Sequence, residues 1–213
     1  MIVDERLVTY INSLDTGNTS ILDQIEQEAL ENYVPIIRKE MQQFLKLLLA
    51  MKRPMRILEV GTAVGFSAIL MAEYDPVPCE ITTIENYEKR IPIARENFKR
   101  AGKETQIALL EGDAAEVLKT LEGPYDFIFM DAAKGQYIHF LPEILRLLAK
   151  DGVLVSDNVL QDGDVIESRF AVTRRNRTIH KRMREYLYTL THSEELVTAV
   201  LPVGDGITLS TRR

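Results

Sequence analysis

Apolar positions follow two regimes along the chain. Over the first fifty residues they recur at helical spacing: Val3, Leu7, Tyr10, Ile11 and Leu14 share one face, and Asp15-Thr16-Gly17-Asn18 ends that segment. Ser20 is the expected N-cap of a second helix running to about Glu31. Pro35 is expected to open a third helix through Phe44, Leu45, Leu48 and Leu49, which Pro54 closes. From residue 55 short apolar runs alternate with amphipathic segments. The pattern predicts strands at 55–60, 80–85, 105–110, 125–130 and 152–156, and helices at 64–74, 87–101, 113–120 and 135–149. Such alternation means parallel strands joined by crossover helices, an open α/β sheet covered on both faces. A further helix is expected at about 173–190. The apolar segments 195–201 and 206–210, separated by Gly204-Asp205-Gly206, read as an antiparallel hairpin closing the sheet. With no repeat, low-complexity tract or linker, residues 1–213 read as one domain. Residues 1–54 form its helical N-terminal extension, placed either as a lid or as a dimer surface.

The run Ile57 to Val60 breaks at Gly61, and a helical pattern (Phe66, Ile69, Leu70) follows at once. A strand passing through a glycine turn into a helix brings backbone N–H groups to the strand's carboxyl end, where a nucleotide-like ligand fits against main chain. The spacing is E-x-G-x-x-x-G. The dinucleotide fingerprint G-x-G-x-x-G is absent, which weighs against a nicotinamide-dependent oxidoreductase.

Ligands of open α/β sheets sit beyond the carboxyl ends of the strands. This sequence places an acid or amide at nearly every such end: Glu59, Glu85, Asp113, Asp131, and Asp157 with Asn158. Asp113 reads equally well as a helix N-cap. Glu85 stands where an acid accepts hydrogen bonds from ribose hydroxyls. Asp131, Asp157 and Asn158 offer hard oxygen donors from adjacent strand ends, with no His or Cys nearby, a set suited to Mg²⁺. Lys134, three residues past Asp131, reads as a solvated charge or as a base pointing into the same cleft from the first turn of a helix.

The chain of 213 residues carries a net charge of −6, which alone argues against a nucleic-acid partner. The distribution argues otherwise. Between Ser168 and Arg184 stand seven cations (Arg169, Arg174, Arg175, Arg177, Lys181, Arg182 and Arg184) and no acid. Local segregation of this kind reads as an RNA-binding face, a solvated helix face or an arginine-rich subunit contact. The single cysteine, Cys79, rules out an internal disulfide and a cysteine-based zinc site. The acidic start Asp4-Glu5 is unlike a signal peptide, and no apolar run approaches the roughly 18 residues of a membrane span. A cytoplasmic protein is the expectation.

Taken together, Glu59-Val-Gly-Thr-Ala-Val-Gly-Phe-Ser67, Glu85, Gly112-Asp113-Ala114, Asp131-Ala-Ala-Lys134, Asp157-Asn158 and Pro202-Val-Gly-Asp-Gly-Ile207 resemble the cation-dependent class I S-adenosylmethionine O-methyltransferases, the catechol and caffeoyl-CoA group. The resemblance covers about residues 30 to 210. It implies a Rossmann-like fold with a seven-stranded, mostly parallel sheet, a C-terminal antiparallel hairpin and an N-terminal helical lid. It also implies S-adenosylmethionine and Mg²⁺ as cofactors, and a homodimer. By that resemblance Glu59, Gly61 and Ser67 belong to the cofactor site on its methionine side. Glu85 takes the ribose hydroxyls, Asp113 and Ala114 border the adenine, and Val34 lies over the cofactor. Asp131, Asp157 and Asn158 match the metal ligands, Asp131 also bordering the cofactor, and Lys134 matches the proposed base.

Within that group the likeness runs to the bacterial tRNA 5-hydroxyuridine methyltransferases, through Val34-Pro35-Ile36, Asp131-Ala-Ala-Lys-Gly-Gln-Tyr137 and Thr173-Arg-Arg-Asn-Arg-Thr178. The expected partner is then the anticodon arm of tRNA, gripped by Arg174, Arg175, Arg177 and Lys181. The expected product is 5-methoxyuridine at the wobble position. A small catechol-like phenol is the alternative substrate, and Phe66, Tyr137 and Phe170 are aromatic candidates to stack either ring. A non-catalytic RNA-binding protein is the alternative of a different class.

Overall fold

The computed structural model describes residues 3–213. Three helices precede the sheet: α1 (Glu5–Ser13), α2 (Ser20–Glu31) and α3 (Lys39–Lys52). The strands and helices then alternate as β1 (Arg56–Val60), α4 (Phe66–Tyr74), β2 (Glu80–Glu85), α5 (Ile91–Arg100), β3 (Ile107–Glu111), α6 (Ala114–Thr120), β4 (Tyr125–Met130), α7 (Tyr137–Leu147) and β5 (Leu148–Ser156). Helix α8 (Arg177–Thr191) and the strands β6 (Leu196–Leu201) and β7 (Ile207–Arg212) complete the chain. The seven strands form one sheet in the order β3-β2-β1-β4-β5-β7-β6. β1 to β5 run parallel, whereas β7 is antiparallel to both β5 and β6. This is the Rossmann-like α/β architecture expected from the sequence, with its C-terminal antiparallel hairpin.

Successive strand residues point to opposite faces, so each central strand feeds two cores. Ile57, Phe127 and Val155 join Leu22, Leu45, Ile69 and Phe98 on the face covered by α2 to α5. Their neighbours Leu58, Ile128 and Leu154 join Leu118, Phe140, Ile144 and Met183 beneath α6, α7 and α8. Burial on both faces explains why Phe127–Met130 of β4 is an unbroken apolar run and why Ile57, Leu58 and Val60 of β1 are apolar around the buried Glu59. No helix among the described residues is long and apolar enough to cross a membrane.

Several expected boundaries shift, each for a local reason. The third helix begins at Lys39, not Pro35, because residues 35–38 run over a cleft and bury Ile37 in the core. Thr19, not Ser20, is the N-cap of α2, and its hydroxyl donates to Glu73 Oε2 at 2.6 Å instead of capping. β3 starts at Ile107 because Lys103–Gln106 close a turn first, Gln106 N donating to Lys103 O at 3.0 Å. β5 starts at Leu148, four residues early. Leu148 pairs with Tyr125, and the register then shifts across Asp151 (φ +57) before Val153 pairs with Phe127. α8 starts at Arg177 because residues 173–176 close a turn of their own, Asn176 N donating to Thr173 O.

Candidate active site

A cleft of about 1070 Å³ opens over the carboxyl ends of β1, β2, β4 and β5, walled by residues 35–38 and by the start of α8. Its floor is the β1–α4 turn. Gly61 N and Thr62 N both donate to Ile84 O, and Asp131 N donates to Val60 O, so the ends of three strands are stitched together. Gly61 has φ +96, and a Cβ there would stand 2.3 Å from the Asp131 carbonyl oxygen. Only glycine permits that approach.

Glu85, at the end of β2, accepts from Asn86 N and Tyr87 N on Oε1 (2.9 Å each) and from Ala63 N on Oε2 (2.8 Å). Three of its roughly four acceptor positions therefore brace the glycine turn, leaving the remainder to a ligand hydroxyl. Asp113 unites its two readings. Its carboxylate caps α6 through Ala115 N at 2.8 Å, and it lines the cleft together with Ala114. Ser67 lines the cleft and donates its hydroxyl to Glu59 Oε1 at 2.5 Å, while Thr83 donates to Glu59 Oε2. Glu59 is fully buried below them. Burial pushes its carboxyl up to about 7 against the opposing pull of those hydroxyl donors.

At the opposite end, Lys134 Nζ lies 2.7 Å from Asp131 Oδ1 and 2.5 Å from Asn158 Oδ1. Lys134 stands on a single 3-10 turn (Lys134–Gln136) ahead of α7, not in the first turn of an α-helix. Asn158 follows β5 with φ +56, a left-handed conformation that asparagine tolerates. Asp157 is buried, and burial followed by the Asp131 charge pushes its carboxyl up to about 7. Two carboxylates crowded together and a primary cation drawn to the carboxylate and amide oxygens mark a place where positive charge is stabilised. The donors are hard oxygens throughout, so they fit a divalent cation such as Mg²⁺. From the β6–β7 turn, Asp205 joins the cluster: its Oδ2 accepts from Asn158 Nδ2 at 3.2 Å and from Arg38 at 3.0 Å.

The family model for O-methyltransferase matches residues 12–213. The chain belongs to the O-methyltransferase family. A catechol O-methyltransferase of Niastella koreensis is 37% identical to this methyltransferase over 128 residues, 58% of each chain. Caffeoyl-CoA O-methyltransferase 2 of Populus trichocarpa is 33% identical over 181 residues, 80% of this chain and 72% of that one. The solved structure of an SAH-bound methyltransferase from Podospora anserina superposes with a TM-score of 0.88 at 28% identity, covering 98% of this chain and 94% of that one. The enzyme is an S-adenosylmethionine-dependent O-methyltransferase, as the sequence motifs lead one to expect.

Gly61, Ser67, Glu85, Asp113, Ala114, Asp131, Lys134, Asp157 and Asn158 of the methyltransferase all line the one cleft. Two expected cofactor residues do not. Glu59 lies beneath the floor, below the cleft-lining Ser67 and Thr62, and Val34 is not among the lining residues, although Pro35 to Arg38 are. Tyr137 cannot stack a substrate ring: it is fully buried, with its hydroxyl 3.0 Å from Met130 O and 3.1 Å from Asp157 O. Phe170 is 86% exposed and lies off the cleft, and Phe66 contributes to the cleft wall while itself buried, so none of the three offers a free ring face.

In the basic segment, Arg177 Nε donates to Val172 O at 3.4 Å and Arg182 donates to Gly135 O at 3.0 Å. Arg174, Arg175 and Lys181 are exposed and have no ion pair or hydrogen-bond partner among the described residues. Asn176 and Ile179, interleaved with them, line the mouth of the cleft. Sequence reading missed Arg38 and the role of Asp205, which lie 167 residues apart; only the Gly-Asp-Gly turn hinted at the second.

Proposed function

We propose that this methyltransferase methylates the 5-hydroxyl of 5-hydroxyuridine at the wobble position of tRNA, with Mg²⁺ held by Asp131, Asp157 and Asn158. The observation that carries the RNA substrate is the placement of Arg174, Arg175 and Lys181. They are exposed cations without partners among the described residues, beside the mouth of the cleft, on a chain of net charge −6. Cations so placed match phosphates flanking a nucleobase that enters the cleft.

Glu85, Asp113, Ala114, Gly61 and Ser67 would hold S-adenosylmethionine along the floor, and the cofactor would supply the methyl group. When bound, the divalent cation supplies Lewis acidity that lowers the pKa of a coordinated hydroxyl. Lys134 Nζ, already at the Asp131 and Asn158 oxygens, holds by charge the oxyanion that develops there. The hydroxyl proton would pass to solvent water, the oxygen would bond to the methyl carbon as the carbon–sulfur bond breaks and S-adenosylhomocysteine leaves, and the protein's main contribution would be to align the two. Asp157 is shielded from water by burial and held by Asn158 N at 2.7 Å, so it presents a fixed oxygen to the site.

The catechol O-methyltransferase relative favours a second reading, a small phenol with adjacent oxygens. One variant separates the two. Arg174→Ala/Arg175→Ala/Lys181→Ala is expected to lose methylation of tRNA while keeping that of a catechol. Undiminished methylation of tRNA by the variant, or equal loss on both substrates, contradicts the RNA assignment.

A further inference from the structure

We propose that Asp205 is a positioning residue that selects which end of the Asn158 side-chain amide faces the Asp131–Asp157 oxygens. The inference rests on the cation site described above and assigns the group that completes it. The two ends of a primary amide are nearly equal in shape and opposite in hydrogen-bonding character. A cation site needs the oxygen end, and an inward NH₂ would present donors to a positive charge. Lys134 Nζ, which only donates, meets Oδ1 at 2.5 Å. The Asp205 carboxylate, which only accepts when ionised, meets Nδ2 at 3.2 Å. Both neighbours therefore demand the same orientation.

Asp205 is itself gripped by a cation. Arg38 lies 2.8 Å from Oδ1 and 3.0 Å from Oδ2, and also faces Asp162 at 3.7 Å. The turn that carries Asp205 is fastened to the segment after β5, where Leu160 N donates to Asp205 O and Val159 N to Gly206 O. Gly206 has φ +83, and a Cβ there would stand 2.2 Å from Leu160 Cγ, so the turn lies flat against that segment. The N-terminal segment and the C-terminal hairpin thus converge on one amide.

The test measures Mn²⁺ affinity by electron paramagnetic resonance, and S-adenosylhomocysteine affinity by calorimetry, in the wild-type protein, Asp205→Ala, Asn158→Asp and the double variant. Loss of a group that orients a ligand typically weakens metal binding about 10- to 100-fold, and Asp205→Ala should do so while changing S-adenosylhomocysteine affinity by less than about twofold. In the Asn158→Asp background the same substitution should leave Mn²⁺ affinity unchanged or tighter. A carboxylate offers oxygen in either orientation, and removing the neighbouring acid relieves repulsion. A merely structural Asp205 would weaken binding equally in both backgrounds. That result, or near-wild-type Mn²⁺ affinity in Asp205→Ala, overturns the proposal. Absence of Mn²⁺ binding in the wild-type protein overturns the cation site itself, and the inference with it. A second readout needs no variant: the Asn158 side-chain amide protons should exchange more slowly than those of exposed asparagines. Equal rates would mean that Asp205 does not hold the amide in solution.

Discussion

Lys134 reaches back to Asp131, Nζ to Oδ1 at 2.7 Å, and the same ammonium touches Asn158. The lysine therefore neutralises the carboxylate cluster from within. Replacing it with an apolar chain of similar length leaves Asp131 and Asp157 to repel each other. Lys134→Met should lower turnover by roughly 10²- to 10³-fold and keep S-adenosylhomocysteine affinity. Its melting temperature should rise more on adding Mg²⁺ than that of the wild-type protein, since the divalent ion relieves a larger repulsion. Equal Mg²⁺-induced shifts in the two proteins would show that Lys134 and the cation do not share a site.

Gly61→Ala places a methyl against the Asp131 carbonyl in a backbone region that L-residues avoid. We expect a loss of more than about 2 kcal/mol in urea unfolding, with at least tenfold weaker S-adenosylhomocysteine binding. A variant of wild-type stability and affinity would mean that the β1–α4 turn and the end of β4 yield freely.

The raised carboxyl of Glu59 carries a definite sign. Its ordinary value is 4.5 and its folded value about 7, so the folded protein binds the extra proton between those limits. Stability from this group is present at acid pH and is lost as pH rises towards 7. Glu59→Gln mimics the protonated form, because the Ser67 and Thr83 hydroxyls can rotate to suit an amide. From about pH 5 to about pH 8 the wild-type protein should lose stability relative to this variant, by up to roughly 3 kcal/mol. Parallel pH profiles for the two proteins, by denaturant unfolding, would contradict a buried acid in this state.

The positions of the strands and the residues at their ends were legible because a parallel sheet writes itself as apolar runs that stop at functional positions. Asp131, Asp157 and Asn158 could be placed together for that reason alone. Glu59 was harder: its near neighbour Gly61 belongs to the cleft, whereas the Glu59 carboxyl is taken up by Ser67 and Thr83 beneath it, contacts with a helix and a strand further along the chain. The helix expected from Pro35 starts only at Lys39, because residues 35–38 run over the cleft with Arg38 extended and Ile37 buried in the core. The Arg38–Asp205 pair joins opposite ends of the chain, and no local pattern encodes it. Tyr137 has the composition of a stacking residue and the environment of a core one.

If Arg174, Arg175 and Lys181 each neutralise one phosphate, the salt dependence of tRNA binding must register them. On a single-stranded anticodon loop, removing three contacts should flatten the slope of log K against log salt by about 2. An unchanged slope in the triple alanine variant would return these residues to the solvated surface.

The central claim is metal-assisted methyl transfer to a wobble nucleobase. Its most direct test is a methyl-transfer assay with labelled S-adenosylmethionine and Mg²⁺, using tRNA from cells that lack this protein. The account predicts label on the wobble uridine as 5-methoxyuridine, lost when a chelator removes the cation and restored when Mg²⁺ is returned. Label confined to catechols, or transfer to tRNA undiminished by chelation, would contradict it.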